Sequence, residues 1–191
     1  MKHLFSRLYE ATRRGAGHPR APWLLAVLSF AESSFFPVPP DVMLAPMVLV
    51  QPRRALHFAL LTTVASVIGG LFGYALGFFA LELIRPWLHG DWQNYLTVRS
   101  WFERWGFWVI IVAGFSPIPY KMFTIAAGAM HAAVIPFVLA SLLGRGGRFF
   151  LVAILVAWGG DKVEPWLRTY MDRIGWITVA VLLLTGVYLR L

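Results

Sequence analysis

The chain has 191 residues, of which 59% are apolar, 16% aromatic and 14% charged, against about 25% charged in soluble domains. Nine acidic side chains are too few to solvate a globule of this size, so the composition excludes a water-soluble domain and reads as an integral membrane protein. The net charge of +8 sits in short loops beside apolar blocks rather than in a basic stripe, which makes it topogenic charge facing anionic lipid and excludes a nucleic-acid interface.

Residues 1–20 carry Lys2, Arg7, Arg13, Arg14 and Arg20, with Leu4, Phe5, Leu8 and Tyr9 spaced to form one apolar face. This predicts an interfacial amphipathic helix. A signal peptide is the competing reading, but the apolar run ends in Glu32 and no small-residue cleavage site follows. The positive excess places the N-terminus on the cytoplasmic side.

From Pro22 to Val50 the chain is apolar but broken by Pro37, Pro39 and Pro40, followed by Asp41. The two legs fall short of the roughly 20 residues a span requires, so a re-entrant hairpin is expected, with Arg53 and Arg54 returned to the inside. Residues 55–81 contain no Asp, Glu, Lys or Arg. They read as a spanning helix whose Gly69, Gly70, Gly73 and Gly77 form a small-residue stripe for close helix packing. Asp91 to Arg104 predicts an amphipathic segment lying flat at the outer interface, with Trp92, Tyr95, Leu96 and Phe102 on one face.

The plan then repeats. Trp105 to Met130 is again apolar and broken by Pro117 and Pro119, followed by Lys121, and Ala132 to Trp158 forms a second long helix. Ala140-Ser141-Leu142-Leu143-Gly144 echoes Ala65-Ser66-Val67-Ile68-Gly69, and Gly160-Asp161 echoes Gly90-Asp91. A second amphipathic segment follows, presenting Val163, Trp166, Leu167 and Tyr170. The fold class expected is an all-α polytopic membrane protein forming one domain, 1–191. After the 1–20 helix, repeat one covers 21–104, repeat two covers 105–173, and a final transmembrane helix covers 174–191. A hairpin plus one span is an odd number of crossings, so the second copy is inverted. In many secondary transporters the substrate site lies between such repeats.

Glu32, Asp41, Lys121, Arg145 and Arg148 fall inside apolar segments, where each costs at least about 2.5–3.5 kcal/mol to insert. The repeat brings Asp41 and Lys121 to equivalent places. They read either as a structural ion pair between hairpin tips or as part of a functional site. A carboxylate in low dielectric favours its protonated form, so Glu32 and Asp41 suit proton coupling, the alternative for Glu32 being a side chain that snorkels to the interface. Arg145 and Arg148, at i and i+3, suit a phosphate, the alternative being a short cytoplasmic loop at 144–148 that divides the helix. With Lys121 they form the expected substrate-binding set.

The chain has no cysteine, and its five histidines (His3, His18, His57, His89, His131) stand without ligand spacing, so neither a metal nor a cofactor is expected. Catalytic motifs of the hydrolase, P-loop, zincin and dinucleotide types are absent, so a non-enzyme is expected. An intramembrane phosphatase would need a base where only His131 stands.

The Glu32 and Phe36-Pro37-Val38-Pro39-Pro40-Asp41 segment, the glycine helix, and Phe115-Ser116-Pro117-Ile118-Pro119-Tyr120-Lys121 with Ala127-Gly128 resemble the DedA family, and within it the YqaA-like branch, over roughly residues 20–160. The resemblance implies a bacterial inner-membrane protein with two opposed re-entrant hairpins, related to VTT-domain lipid scramblases. It also implies movement of undecaprenyl phosphate or phospholipid between leaflets, driven by protons. Glu32 and Asp41 resemble the family's essential hairpin-one acids. Of the two arginines that flank hairpin two in the better-studied branch, the first position is Gly114 here, and the second charge is Lys121, displaced by one residue. The reading reached is therefore a flippase or scramblase for an anionic lipid, with lipids and protons as partners and a homo-oligomer within its scope. The alternatives are a non-transporting assembly factor and a proton-coupled cation or drug exporter.

Overall fold

In a computed structural model of the protein, Gly15 and residues 18–34, 38–84, 92–116 and 119–160 are described. The N-terminal amphipathic helix lies almost wholly outside these residues. So do Pro37, Pro117, Asp91, the amphipathic segment after Gly160 and the final helix at 174–191.

The described residues are helical, with no strand among them. The order is α1 (Ala21–Ser34), α2 (Asp41–Val50), a 3-10 turn (Pro52–Arg54), α3 (Ala55–Ile84), α4 (Trp92–Phe115), α5 (Tyr120–Ala129) and α6 (Val134–Gly159). Proline sets the breaks. Pro40 caps α2 and Pro119 caps α5, positions where the fixed φ and missing N–H cost least, while α2 also accommodates Pro46 in its interior. The elements also recur in length. Both α2 and α5 have 10 residues, and they start 79 residues apart, at 41 and 120, as do α3 and α6, at 55 and 134.

At 1.5 Å per residue α3 extends about 45 Å and α6 about 39 Å, more than the ~30 Å hydrocarbon core. Pro52–Leu81 and Val134–Gly159 are long and apolar enough to cross a membrane. Leu56, Leu60, Val64, Ile68, Phe72 and Leu76 recur every fourth residue along α3, and all are exposed. On α6 the same spacing exposes Ile135, Leu139, Leu143, Leu151 and Leu155. Continuous exposed apolar rows of this kind are an anomaly in water and the expected lining against acyl chains. The buried side of α3 includes the small residues Gly69, Gly70, Gly73 and Gly77.

One expected boundary is corrected. The flat amphipathic segment ending at Arg104 and the hairpin leg starting at Trp105 form a single 24-residue helix, α4. Nothing between Ser100 and Gly106 stops a helix. Gly106 costs only ~1 kcal/mol against alanine, and Arg99 and Glu103 pair at 3.1 Å across one turn. Within that expected apolar face, Leu96 is exposed and Phe102 buried.

The chain forms two compact units. The first takes in residues 1–28, 37–62 and 149–191, and its described core gathers Leu25, Val42, Leu44, Met47, Phe58, Phe149 and Val156. The second takes in residues 29–36 and 63–148, with a core of Phe102, Ile110, Ala113, Tyr120, Ala127 and Phe137.

Candidate functional site

Within the second unit, small residues draw helix backbones together until polar side chains meet. A Cβ on Gly69 would strike the Phe30 carbonyl of α1, and one on Gly73 would strike Thr124 of α5. Gly77 faces the Ile125 carbonyl and Gly128 faces the Tyr74 carbonyl, so α3 and α5 touch backbone to backbone. Gly144 lies against Ile111, and Gly114 lies against Gly144 and the Arg145 nitrogen, closing α4 onto α6.

This packing buries Arg145. At 1% exposure it is the largest fully buried side chain among the described residues. Its Nη2 forms an ion pair with Glu32 Oε2. Its Nε donates to Ser66 Oγ at 2.6 Å, and Nη2 also lies 3.4 Å from Ser33 Oγ. The Ser33 and Ser66 hydroxyls are 2.7 Å apart, and Ser33 donates to Glu32 Oε2 at 3.2 Å. The Arg145 guanidinium carbon sits 5.1 Å from the centroid of the Tyr120 ring, within cation–π range. Tyr120 is itself held, its hydroxyl donating to Ser141 Oγ, which in turn donates to the Phe137 carbonyl at 2.6 Å. Ser34 completes the end of α1, its hydroxyl shared between the carbonyls of Phe30 (2.8 Å) and Gly69 (3.0 Å).

Burying this pair is not an efficient way to gain stability. A hydrophobic replacement of both partners is often neutral or stabilising, whereas losing one partner costs about 3–5 kcal/mol. The arrangement keeps a permanent cation beside a group able to take up a proton, in a pocket of hydroxyls.

The other anticipated residues lie around it or elsewhere. Arg148 donates to the Ser116 carbonyl at 3.0 Å, satisfying an acceptor at the end of α4, where the helix leaves its last carbonyls open. Lys121, in the first turn of α5, is partly exposed, and its carbonyl accepts from Thr124 Oγ1 at 2.9 Å. Asp41 belongs to the first unit, where it is the buried first residue of α2, a position at which the helix dipole favours an acid. Pro39 and Pro40 directly precede α2, and Pro119 directly precedes α5. Among the described residues no cluster of metal-ligating side chains occurs.

Three partners of the pair were not singled out from the sequence: Ser33, Ser66 and Tyr120. A signal for one was present. Ser66 and Ser141 occupy matching places in the two echoed Ala-Ser-x-x-Gly motifs, and each hydroxyl serves a buried polar side chain, Arg145 in one case and Tyr120 in the other.

Comparison with known proteins extends the picture. The chain is 46% identical over 182 residues to an uncharacterized protein of Haemophilus influenzae, spanning 93% of this chain and 94% of the relative. It is 46% identical over 189 residues to an uncharacterized protein of Histophilus somni, spanning 98% and 99%. It is also 27% identical over 131 residues to the undecaprenyl phosphate transporter A of Staphylococcus aureus, spanning 62% of this chain and 64% of that protein. No solved structure matches significantly. The VTT-domain model matches residues 38–158, a stretch that includes both long apolar helices, α2, α5, Arg145 and Ser66, and the chain accordingly belongs to the DedA family of VTT-domain membrane proteins.

Proposed function

We propose that this protein moves an anionic, phosphate-bearing lipid between the leaflets of the bacterial inner membrane, and that the Glu32–Arg145 pair is its proton-linked gate. The observation that carries the reading is that Arg145, a buried cation with a fork of donors suited to phosphate, is held by a carboxylate. A lipid phosphate and the Glu32 carboxylate compete for one guanidinium. Protonation of Glu32 removes its charge and frees Arg145 for the phosphate, and loss of the proton restores the pair and expels the anion. Arg148 and Lys121, flanking the break at Pro119, supply further positive charge to the headgroup, and Asp41 is the second proton-coupling acid. The hydrocarbon chain stays in the bilayer throughout.

The related protein named for undecaprenyl phosphate transport supports the lipid class. The shared 10-residue length of α2 and α5 and the common 79-residue offset of the α2–α5 and α3–α6 starts support an inverted repeat in which α1–α2 and α4–α5 are re-entrant hairpins, with the N-terminus cytoplasmic. Proteoliposomes carrying a headgroup-labelled phosphate lipid, with and without a pH gradient, test the proposal. Wild type exchanges lipid between leaflets, while Arg145→Ala reduces the exchange to that of empty vesicles. Wild-type exchange no faster than in empty vesicles, across several anionic headgroups, would sink the reading.

A further inference from the structure

Besides the direct ion pair, Arg145 reaches Glu32 through two serines that charge pairing does not require, by a short path through Ser66 and Ser33 in series and by a long 3.4 Å contact to Ser33 alone. We propose that Ser66 and Ser33 are positioning residues forming a polarised hydroxyl relay, which transmits the protonation state of Glu32 to Arg145. The inference rests on the gating role given to that pair, and it specifies how the pair is regulated.

The argument is a count of protons. A guanidinium N–H can only donate, so the 2.6 Å contact from Arg145 Nε fixes Ser66 Oγ as acceptor. The Ser66 hydroxyl then has its own proton to place, and the Ser33 oxygen lies 2.7 Å away. Ser33 in turn places its proton on Glu32 Oε2 at 3.2 Å. With Glu32 ionised, each donor in the series points toward the carboxylate: Arg145 to Ser66, Ser66 to Ser33, Ser33 to Glu32. The links from Arg145 to Ser66 and between the two serines are short, 2.6 and 2.7 Å, the link to the carboxylate is longer at 3.2 Å, and hydrogen bonds arranged in series polarise one another.

Adding a proton to Glu32 breaks this order. A protonated Oε2 donates to Ser33, and Ser33 turns its proton to Ser66, whose second lone pair is open to it. Either serine can donate in that contact, so the reversal takes two hydroxyl rotations, with Ser66 turning its own proton to a carbonyl one turn back in α3, the ordinary acceptor for a helical serine. It removes the Glu32 charge from beside Arg145 while Ser66 and the face of Tyr120 still hold the guanidinium in place for an incoming anion. Both serines are fully buried, so water does not substitute for either link. The titratable groups facing Glu32 among the described residues are Arg145 from α6 and Tyr120 from α5, and α3 contributes the Ser66 hydroxyl.

The decisive experiment titrates Glu32 directly. The full-length protein in lipid nanodiscs is followed by infrared spectroscopy of the protonated carboxyl stretch, identified by its disappearance in Glu32→Gln. Ser33→Ala, which removes a bond to the carboxylate, raises the midpoint by about one pH unit, a tenfold change in proton affinity. Ser66→Ala touches no carboxylate oxygen yet raises the midpoint by at least about threefold in proton affinity, because the relay is cut behind Ser33. Ser66→Thr keeps the hydroxyl and restores the wild-type midpoint. Ser34→Ala removes an equally buried hydroxyl bonded only to carbonyls and leaves the midpoint unchanged. A Ser66→Ala midpoint equal to wild type overturns the relay, as does a Ser34→Ala shift as large as that of Ser66→Ala. If Ser66→Ala does not fold, Ser33→Ala and Ser66→Thr still decide the matter, since an unshifted midpoint in the first or a tenfold shift in the second contradicts the relay. Should the serine variants shift the midpoint while wild type moves no lipid in vesicles, the relay stands and the transport reading falls.

Discussion

At the scale of single residues, the account turns on why an arginine is buried at all. A pair kept for stability and a pair kept for function respond differently to replacement. Arg145→Ala or Glu32→Ala strands one buried charge and should lower unfolding free energy by about 3–5 kcal/mol, measured by denaturant unfolding in detergent. Removing both, as Glu32→Leu with Arg145→Met, should recover most of that loss while leaving lipid exchange at background. The two halves of this site were legible separately. Glu32 and Arg145 stand out in the sequence because an ionisable group in an apolar run is costly. Their pairing was not legible, because they lie 113 residues apart and no local periodicity reports a contact of that range. Arg145 was read as a phosphate ligand and Glu32 as a proton carrier, and the geometry joins the two roles in one ion pair.

Helix positions follow from a few local rules, and each has a measurable consequence. Gly77 and Gly128 sit where a Cβ would meet a neighbouring helix's backbone, which cannot move aside as a side chain can. Gly77→Ala or Gly128→Ala should destabilise the protein by about 1–3 kcal/mol. Gly147 faces only ring atoms of Phe115 at ordinary contact distance, 3.8 Å, so Gly147→Ala should be neutral or stabilise by up to about 1 kcal/mol. His131 follows α5 with φ at +55°, in a Schellman turn where Ala132 N–H bonds the Ala127 carbonyl and His131 N–H bonds the Gly128 carbonyl. Glycine suits that left-handed position better by about 1 kcal/mol, but the His131 ring packs edge-on against Phe78 at 4.6 Å, a contact worth about 0.5–1.5 kcal/mol, so His131→Gly should leave stability within about 1 kcal/mol of wild type in the same unfolding assay. The proline breaks and both long helices were readable from the sequence, since Pro39-Pro40 and Pro119 interrupt the apolar stretches and the long runs exceed 25 residues, although Pro46 inside α2 shows that a lone proline need not end a helix. The continuity of α4 was not, because the change from a mixed to an apolar sequence near Trp105 resembles a boundary while the backbone meets no breaker there.

At the scale of the whole molecule, the 79-residue offset between the starts of α2 and α5 and of α3 and α6 gives the proposed topology a form that can be checked. The chain contains no cysteine, so single cysteines can be introduced without background. A cysteine at Arg20 and one at Arg53 should both react from the cytoplasmic side, as a re-entrant hairpin requires, and one at His131 should react from the opposite side. Labelling of positions 20 and 53 from opposite faces would turn the first hairpin into a span and remove the inverted repeat. The most direct measurement of the central claim is leaflet exchange of a phosphate-bearing lipid in proteoliposomes under an imposed pH gradient, comparing wild type with Glu32→Gln. The gate predicts that wild-type exchange follows the gradient, whereas Glu32→Gln, with Arg145 permanently released, exchanges lipid without responding to it. Equal dependence on the gradient in both proteins would contradict the assignment of Glu32 as the group that opens the site.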